Sequence, residues 1–163
     1  MLIRPETPVD VASIDGLTKA AFEGHPHSDG SEPRIIHDLR AAGALSLSLV
    51  AEHEGQVIAH LAFSPVNWCD QPDWYGLGPV SVLPNHQSQG IGSALIREGL
   101  RHIRDRGARG CVVMGEPEYY QRFGFKQNPA LTYPGVPEAY FMARAFADLP
   151  DLNGPVRYHP AFG

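Results

Sequence analysis

Val80-Ser81-Val82-Leu83-Pro84-Asn85-His86-Gln87-Ser88-Gln89-Gly90-Ile91-Gly92-Ser93-Ala94-Leu95 is the stretch on which the fold turns. An apolar extended run passes through a polar loop and into a helix opened by two glycines. That helix, Gly90 to Arg106, is the clearest in the chain. At about 100° per residue, Ile91, Leu95, Ile96, Gly99, Leu100 and Ile103 share one half of the wheel. Ser93, Arg97, Glu98, Arg101, Arg104 and Asp105 take the other half, and Gly107 closes the helix. The first N–H groups of a helix have no partner inside it, and the macrodipole places partial positive charge there. With no side chain at Gly90 or Gly92, such a turn can receive a phosphate.

Two phosphate motifs are absent. No Lys-Ser or Lys-Thr follows the glycines, so the turn is not a P-loop. A dinucleotide fingerprint needs a third glycine where Leu95 stands and an acid near Gly110. A Gly-x-Gly helix start alone is equally a packing device.

Upstream, Trp74 to Val82 is one long extended run. Pro79 inside it cannot donate to a ladder, which predicts a bulge or an open side. Before it, Leu45, Leu47, Leu49 and Ala51 alternate with Ser46, Ser48 and Val50. A turn at 53–56 then returns the chain as a strand from Val57 to Phe63. Leu2 to Arg4 reads as a first strand. Thr7 or Asp10 caps a helix from about Val9 to Phe22. Ser31 caps a second helix, with Pro33 in its first turn, an Ile35/Ile36/Leu39 stripe, and an end at Gly43. Downstream come a short buried strand at Cys111–Met114, a short helix at Pro117–Arg122 ended at Gly124, and a late strand at Tyr140–Phe146. The Pro- and Gly-rich tail from Asp148 to Gly163 reads as irregular. Consecutive strands joined by short turns pair antiparallel, and strand–helix–strand is a right-handed parallel crossover. The fold class is therefore α/β (α+β): a mixed, mostly antiparallel central sheet with helices on both faces.

The chain has 163 residues, the size of a single domain spanning 1–163, with 43% apolar and 19% charged residues. Disorder is excluded as its main state. The net charge of −5 argues against a nucleic-acid partner, whose backbone needs a basic face. No apolar run approaches the roughly 20 residues of a membrane span, and the start MLIRPETPVD is no signal peptide. Cys69 and Cys111 sit in no metal-ligand spacing. These features predict a cytoplasmic protein without membrane or nucleic-acid partners and without a metal. His25, His27 and Asp29 read as polar loop residues rather than metal ligands. Trp68 and Trp74 flank a turn at 69–73 and read as partly exposed, a hairpin staple or a protein contact. Arg97, Arg101 and Arg104 read as a solvated helix face.

The pattern Gln87-x-x-Gly90-x-Gly92 resembles motif A of the GNAT N-acetyltransferase superfamily, which holds the pyrophosphate of coenzyme A. Tyr120-Gln121-Arg122-Phe123-Gly124-Phe125 is similar to the family's Tyr-x-x-x-Gly-Phe, at the right place after the next strand. The element order agrees from about Leu2 to Phe146, and the wording is similar to small bacterial predicted N-acetyltransferases. The resemblance implies two central strands, Trp74–Val82 and Gly110–Met114, splayed apart around the pantetheine arm, with acetyl-CoA as cosubstrate and no metal. It implies backbone contacts from Val80, Ser81 and Val82, with the Val82 N–H on the thioester carbonyl. Backbone N–H groups of Ser88, Gln89, Gly90, Ile91, Gly92 and Ser93 would surround the pyrophosphate, and Arg97 could reach a phosphate.

It also implies direct acetyl transfer to an amine, with Tyr120 protonating the leaving thiolate and Cys111 a core residue rather than a nucleophile. Tyr119 reads as structural. The family often places a glutamate on the bulged strand, but Trp74–Val82 has no carboxylate. Glu116 is then the first choice of general base, ahead of His86, His53 and a water chain. The acceptor is a small-molecule or peptide amine, and the family's habits leave a homodimer open. A non-catalytic acyl-CoA sensor of the same fold remains the alternative at this level, since it needs Gly90 and Gly92 but not Tyr120. So does an acyltransferase with a longer donor or a hydroxyl acceptor.

Overall fold

The computed structural model describes residues 1–163. Its strands are β1 (Leu2–Pro5), β2 (Leu47–His53), β3 (Gln56–Trp68), β4 (Trp74–Val82), β5 (Gly110–Met114), β6 (Leu131–Thr132), β7 (Phe141–Ala145) and β8 (Gly154–Tyr158). Its helices are α1 (Val11–Phe22), α2 (Glu32–Ala41), α3 (Ile91–Asp105) and α4 (Pro117–Gln121). The main sheet runs β1-β2-β3-β4-β5-β7. All its pairs are antiparallel except β4–β5, joined by the α3 crossover.

The period-two pattern of β2 decides the layers. Leu47, Leu49 and Ala51 face α3, in a core with Leu61, Phe63, Leu95, Ile96 and Leu100. Val50 faces the other way, onto Ile14 of α1 and Ile36 of α2. α3 packs tightly on the sheet at Gly99, where a Cβ would meet the Phe63 ring at 2.7 Å.

Ser48, on the α1/α2 face, is not solvated as its polar side chain suggests. It is buried and bonds both Glu6 and His60, the latter at 2.7 Å. Glu6 in turn accepts two bonds from Arg40, each 3.0 Å. Burial pushes His60 down to about 4, so it is neutral at pH 7. Asp10 is likewise buried. The Arg4 guanidinium, bound to both its oxygens, holds the carboxyl well below the usual range and ties β1 to the start of α1.

Three expectations need correction. The tail is not irregular throughout: β8 pairs antiparallel with Val66–Trp68 of β3 and parallel with β6. β3 accordingly runs to Trp68 rather than ending at Phe63, because its far half has a different partner from its near half. Trp68 and Trp74 are buried, their rings edge-to-face at 5.1 Å in a second core with Val112, Phe141 and Val156. The Trp68 indole donates to the Ala130 carbonyl at 2.9 Å. Gly110 makes room for Trp74, whose ring would lie 2.3 Å from a Cβ there.

Candidate active site

β4 and β5 pair only through Trp74↔Gly110, Tyr75↔Cys111 and Gly76↔Val112. Beyond Gly76 the two strands part. The cause lies on β4: between Leu77 and Val80 it carries one more residue than β3 does between Leu61 and Phe63. Gly78, at φ 130°, and Pro79 form this bulge, as the proline predicted. The Leu83 N–H bonds the Ile58 carbonyl at 2.9 Å. Antiparallel bonding alternates, so the next bonded pair is Ser81 with His60. The backbones of Val80 and Val82 therefore face the open gap, and the N–H of Ser81 is turned to β3.

The loop after β4 is pinned by Gln87, whose side chain donates to the Val82 carbonyl at 3.0 Å. Ser88 (φ 63°) and Gly90 (φ 81°) bend the backbone into α3. No N–H from Ser88 to Ser93 donates to any acceptor of the chain; the first helical bond is Ala94 to Gly90. Six consecutive donors at a helix N-terminus form an anion cradle. The two glycines serve it differently. A Cβ at Gly90 would stand in open space, so it is the positive φ that requires glycine there. A Cβ at Gly92 would lie 3.3 Å from the Tyr119 hydroxyl and 3.7 Å from Val82.

From the gap a cavity of about 930 Å³ opens toward α1 and α2. Leu77, Pro79 and Val80 form one wall, Met114 to Glu116 with Tyr119 and Tyr120 another, and His25, His27, Ser28 and Glu32 the rim. No Lys or Arg lines it. Tyr120 is fixed by packing: its ring stands edge-on to Tyr119 at 5.0 Å and to Phe125 at 6.1 Å. It also covers Gly115, where a Cβ would lie 2.3 Å from the ring. Burial pushes the Tyr120 phenol up to about 12, so it carries its proton at neutral pH and can donate it.

The structure thus gathers Val80, Tyr120 and Glu116 on one cavity, with Val82 and the Ser88–Ser93 turn at the outer end of the gap. Glu116 is exposed at the N-cap of α4. His53 and His86 come together instead, with ring centroids 6.2 Å apart, and neither lines the cavity. Arg97 stacks on Phe123 at 4.9 Å. Cys111 is buried and desolvation raises its thiol pKa strongly, the opposite of an activated nucleophile. Tyr158, on β8, also lines the cavity, and the sequence reading missed it. The alternation Val156/Tyr158 was the only signal, hidden among prolines and glycines. No helix is long and apolar enough to cross a membrane.

The acetyltransferase (GNAT) family model matches residues 12–125. The uncharacterized N-acetyltransferase YhbS of Escherichia coli K12 is 38% identical over 169 residues, covering 99% of this chain and 98% of that protein. A GNAT acetyltransferase from Brucella melitensis, solved in complex with acetyl-CoA, superposes with a TM-score of 0.88 at 50% identity, covering 99% of this chain and 97% of that one. The YhbS structure, in complex with CoA, superposes equally well, with a TM-score of 0.88 at 37% identity, covering 99% and 91%. A splayed strand pair, a six-donor turn and two relatives similar over nearly their whole lengths agree: the chain belongs to the GNAT family of acetyltransferases.

Proposed function

We propose that residues 1–163 act as one domain that moves an acetyl group from acetyl-CoA to a primary amine by direct attack. The observation that carries this reading is the turn from Ser88 to Ser93, with six unpartnered donors at the mouth of the β4–β5 gap. The cradle fits a pyrophosphate, and the gap fits an extended arm that completes the sheet. Acetyl-CoA, once bound, supplies the activated thioester.

In this reading the Ser88–Ser93 backbone binds the pyrophosphate, and Val82 holds the arm as a strand neighbour would. Val80 lines the cavity and Val82 does not, so the Val80 N–H, rather than that of Val82, meets charge developing on the thioester carbonyl. Ser81 keeps the register by bonding β3 and has no N–H left for the arm. Tyr120 gives its proton to the departing sulfur. Glu116, at the cavity wall, takes the proton from the amine directly or through water.

The acceptor chemistry follows from the lining. Glu32 and Glu116 face a cavity that no Lys or Arg lines, walled by Phe22, Tyr119, Tyr140 and Phe162. That surface suits a cationic amine with an apolar body. The two unpaired cysteines suit the cytoplasm.

A panel of amines with acetyl-CoA, followed by thiol release and product mass, tests the reading. Acetylated amine is the expected result. Tight CoA binding without transfer to any amine would make the chain an acyl-CoA sensor instead.

A further inference from the structure

Tyr158 is a half-buried side chain with a buried hydroxyl that the mechanism above does not use. Its hydroxyl is inaccessible to solvent and has no hydrogen-bond partner in the protein. A neutral donor left unpaired in the interior is costly, and native structures leave few of them without a reason.

Its position supplies the reason. The ring lies over Gly76, the last residue at which β4 still pairs with β5; a Cβ on Gly76 would stand 2.8 Å from Cε2 of the tyrosine. Tyr133 and Phe162 hold the ring edge-on, with centroids at 5.4 Å and 5.1 Å. β8 fixes its backbone opposite Val66. The ring therefore stands at the crotch of the splay, on the cavity wall and deeper than Tyr120, which covers Gly115, three residues past the last β4–β5 rung at Val112.

An arm entering from the α3 turn passes Val82, then Val80 and Tyr120, and reaches the Tyr158 level last. The sulfur falls to Tyr120. What lies beyond the sulfur is the acyl group, whose only polar atom is its carbonyl oxygen.

We propose that the Tyr158 hydroxyl donates a hydrogen bond to the acyl carbonyl oxygen of the bound acyl-CoA, making the C-terminal strand part of the acyl site. The donor role is consistent with its burial, which raises its pKa far above the ordinary value and keeps the proton in place. Tyr158 and the Val80 N–H then form a two-donor site for that oxygen, one donor from the side chain and one from the backbone. The assignment rests on the acetyltransferase reading of the cleft.

Tyr158→Phe isolates the hydroxyl, because ring packing is kept and no protein hydrogen bond is lost. Titration calorimetry with CoA and with acetyl-CoA, alongside thermal unfolding of the free protein, is the test. One neutral hydrogen bond corresponds to roughly 3- to 10-fold in affinity. Acetyl-CoA should bind Tyr158→Phe weaker by that factor, CoA should bind unchanged, and the melting temperature of the free protein should hold or rise. Equal affinities for both ligands in variant and wild type, or an equal loss for both, overturns the proposal and leaves the acetyltransferase reading standing. A wild-type protein that binds neither ligand overturns both. A complex of the wild type with acetyl-CoA gives a second measurement that needs no variant. An oxygen–oxygen distance of about 2.6–3.0 Å supports the bond, and one beyond about 3.5 Å refutes it.

Discussion

Substitutions at Gly90 and Gly92 should shift stability in opposite directions while shifting CoA affinity in the same direction. Gly90 sits at φ 81° with no protein atom within 4 Å of a would-be Cβ. The Cβ of Gly90→Val therefore meets nothing, and the main cost is the left-handed backbone, about 1–2 kcal/mol, within the stability of an ordinary domain. Its two methyls, however, add bulk in the middle of the run of six free N–H groups. Charge-assisted hydrogen bonds are worth about 1.5–3 kcal/mol each, so losing two weakens CoA binding by at least about 100-fold. Gly92 lies in the first turn of α3 with no positive φ. Alanine there gains up to about 1 kcal/mol of helix propensity, less the small shift of the Tyr119 hydroxyl now 3.3 Å away. Gly92→Ala should melt no lower than the wild type and still bind CoA more weakly. Thermal unfolding and titration calorimetry on both variants are the assays. A folded Gly90→Val protein with wild-type CoA affinity refutes the assignment of this turn.

Tyr120→Phe should lower kcat about 10- to 100-fold with acetyl-CoA affinity nearly unchanged, and Tyr119→Phe should do much less; equal small effects at both positions in a steady-state assay would return the acid role to solvent. Cys111→Ala should keep most of the activity, since a buried thiol with a raised pKa attacks nothing; mass spectrometry finding acetylated Cys111 on the reaction path would contradict this. His60 has a folded pKa near 4 against 6.5 when unfolded, so the unfolded chain binds its proton first as pH falls. Stability is then full above pH 6.5 and declines between pH 6.5 and 4, by about 3 kcal/mol. Urea titrations across that range should show the slope, and His60→Gln should flatten it; an equal slope in both proteins removes His60 as the cause.

The elements legible from the residues alone are those whose signal is local. The half-apolar wheel from Ile91 to Ile103, the two glycines before it and the alternation of Leu47, Leu49 and Ala51 each follow from a period or a backbone requirement within one segment. Pro79 announced the bulge because a missing N–H is a property of one residue. The run of free donors from Ser88 to Ser93 was legible for the same reason: it is a property of consecutive backbone groups at a helix start.

Features set by contacts between segments far apart in the chain were not legible. Ser48 looks solvent-facing along its own strand, yet it is buried because α1 and α2 cover that face. Trp68 and Trp74 look like a surface staple, yet they are buried because β8 and the segment around Ala130 close over them. The backbone phase of β4 was fixed by the Leu83–Ile58 bond, which gave the gap to Val80 and Val82 and turned Ser81 away. Tyr158 joined the cleft through pairing with β3 across more than ninety residues of chain. No local pattern encodes such a contact, because its free energy arises only when the sheet has already brought both strands together.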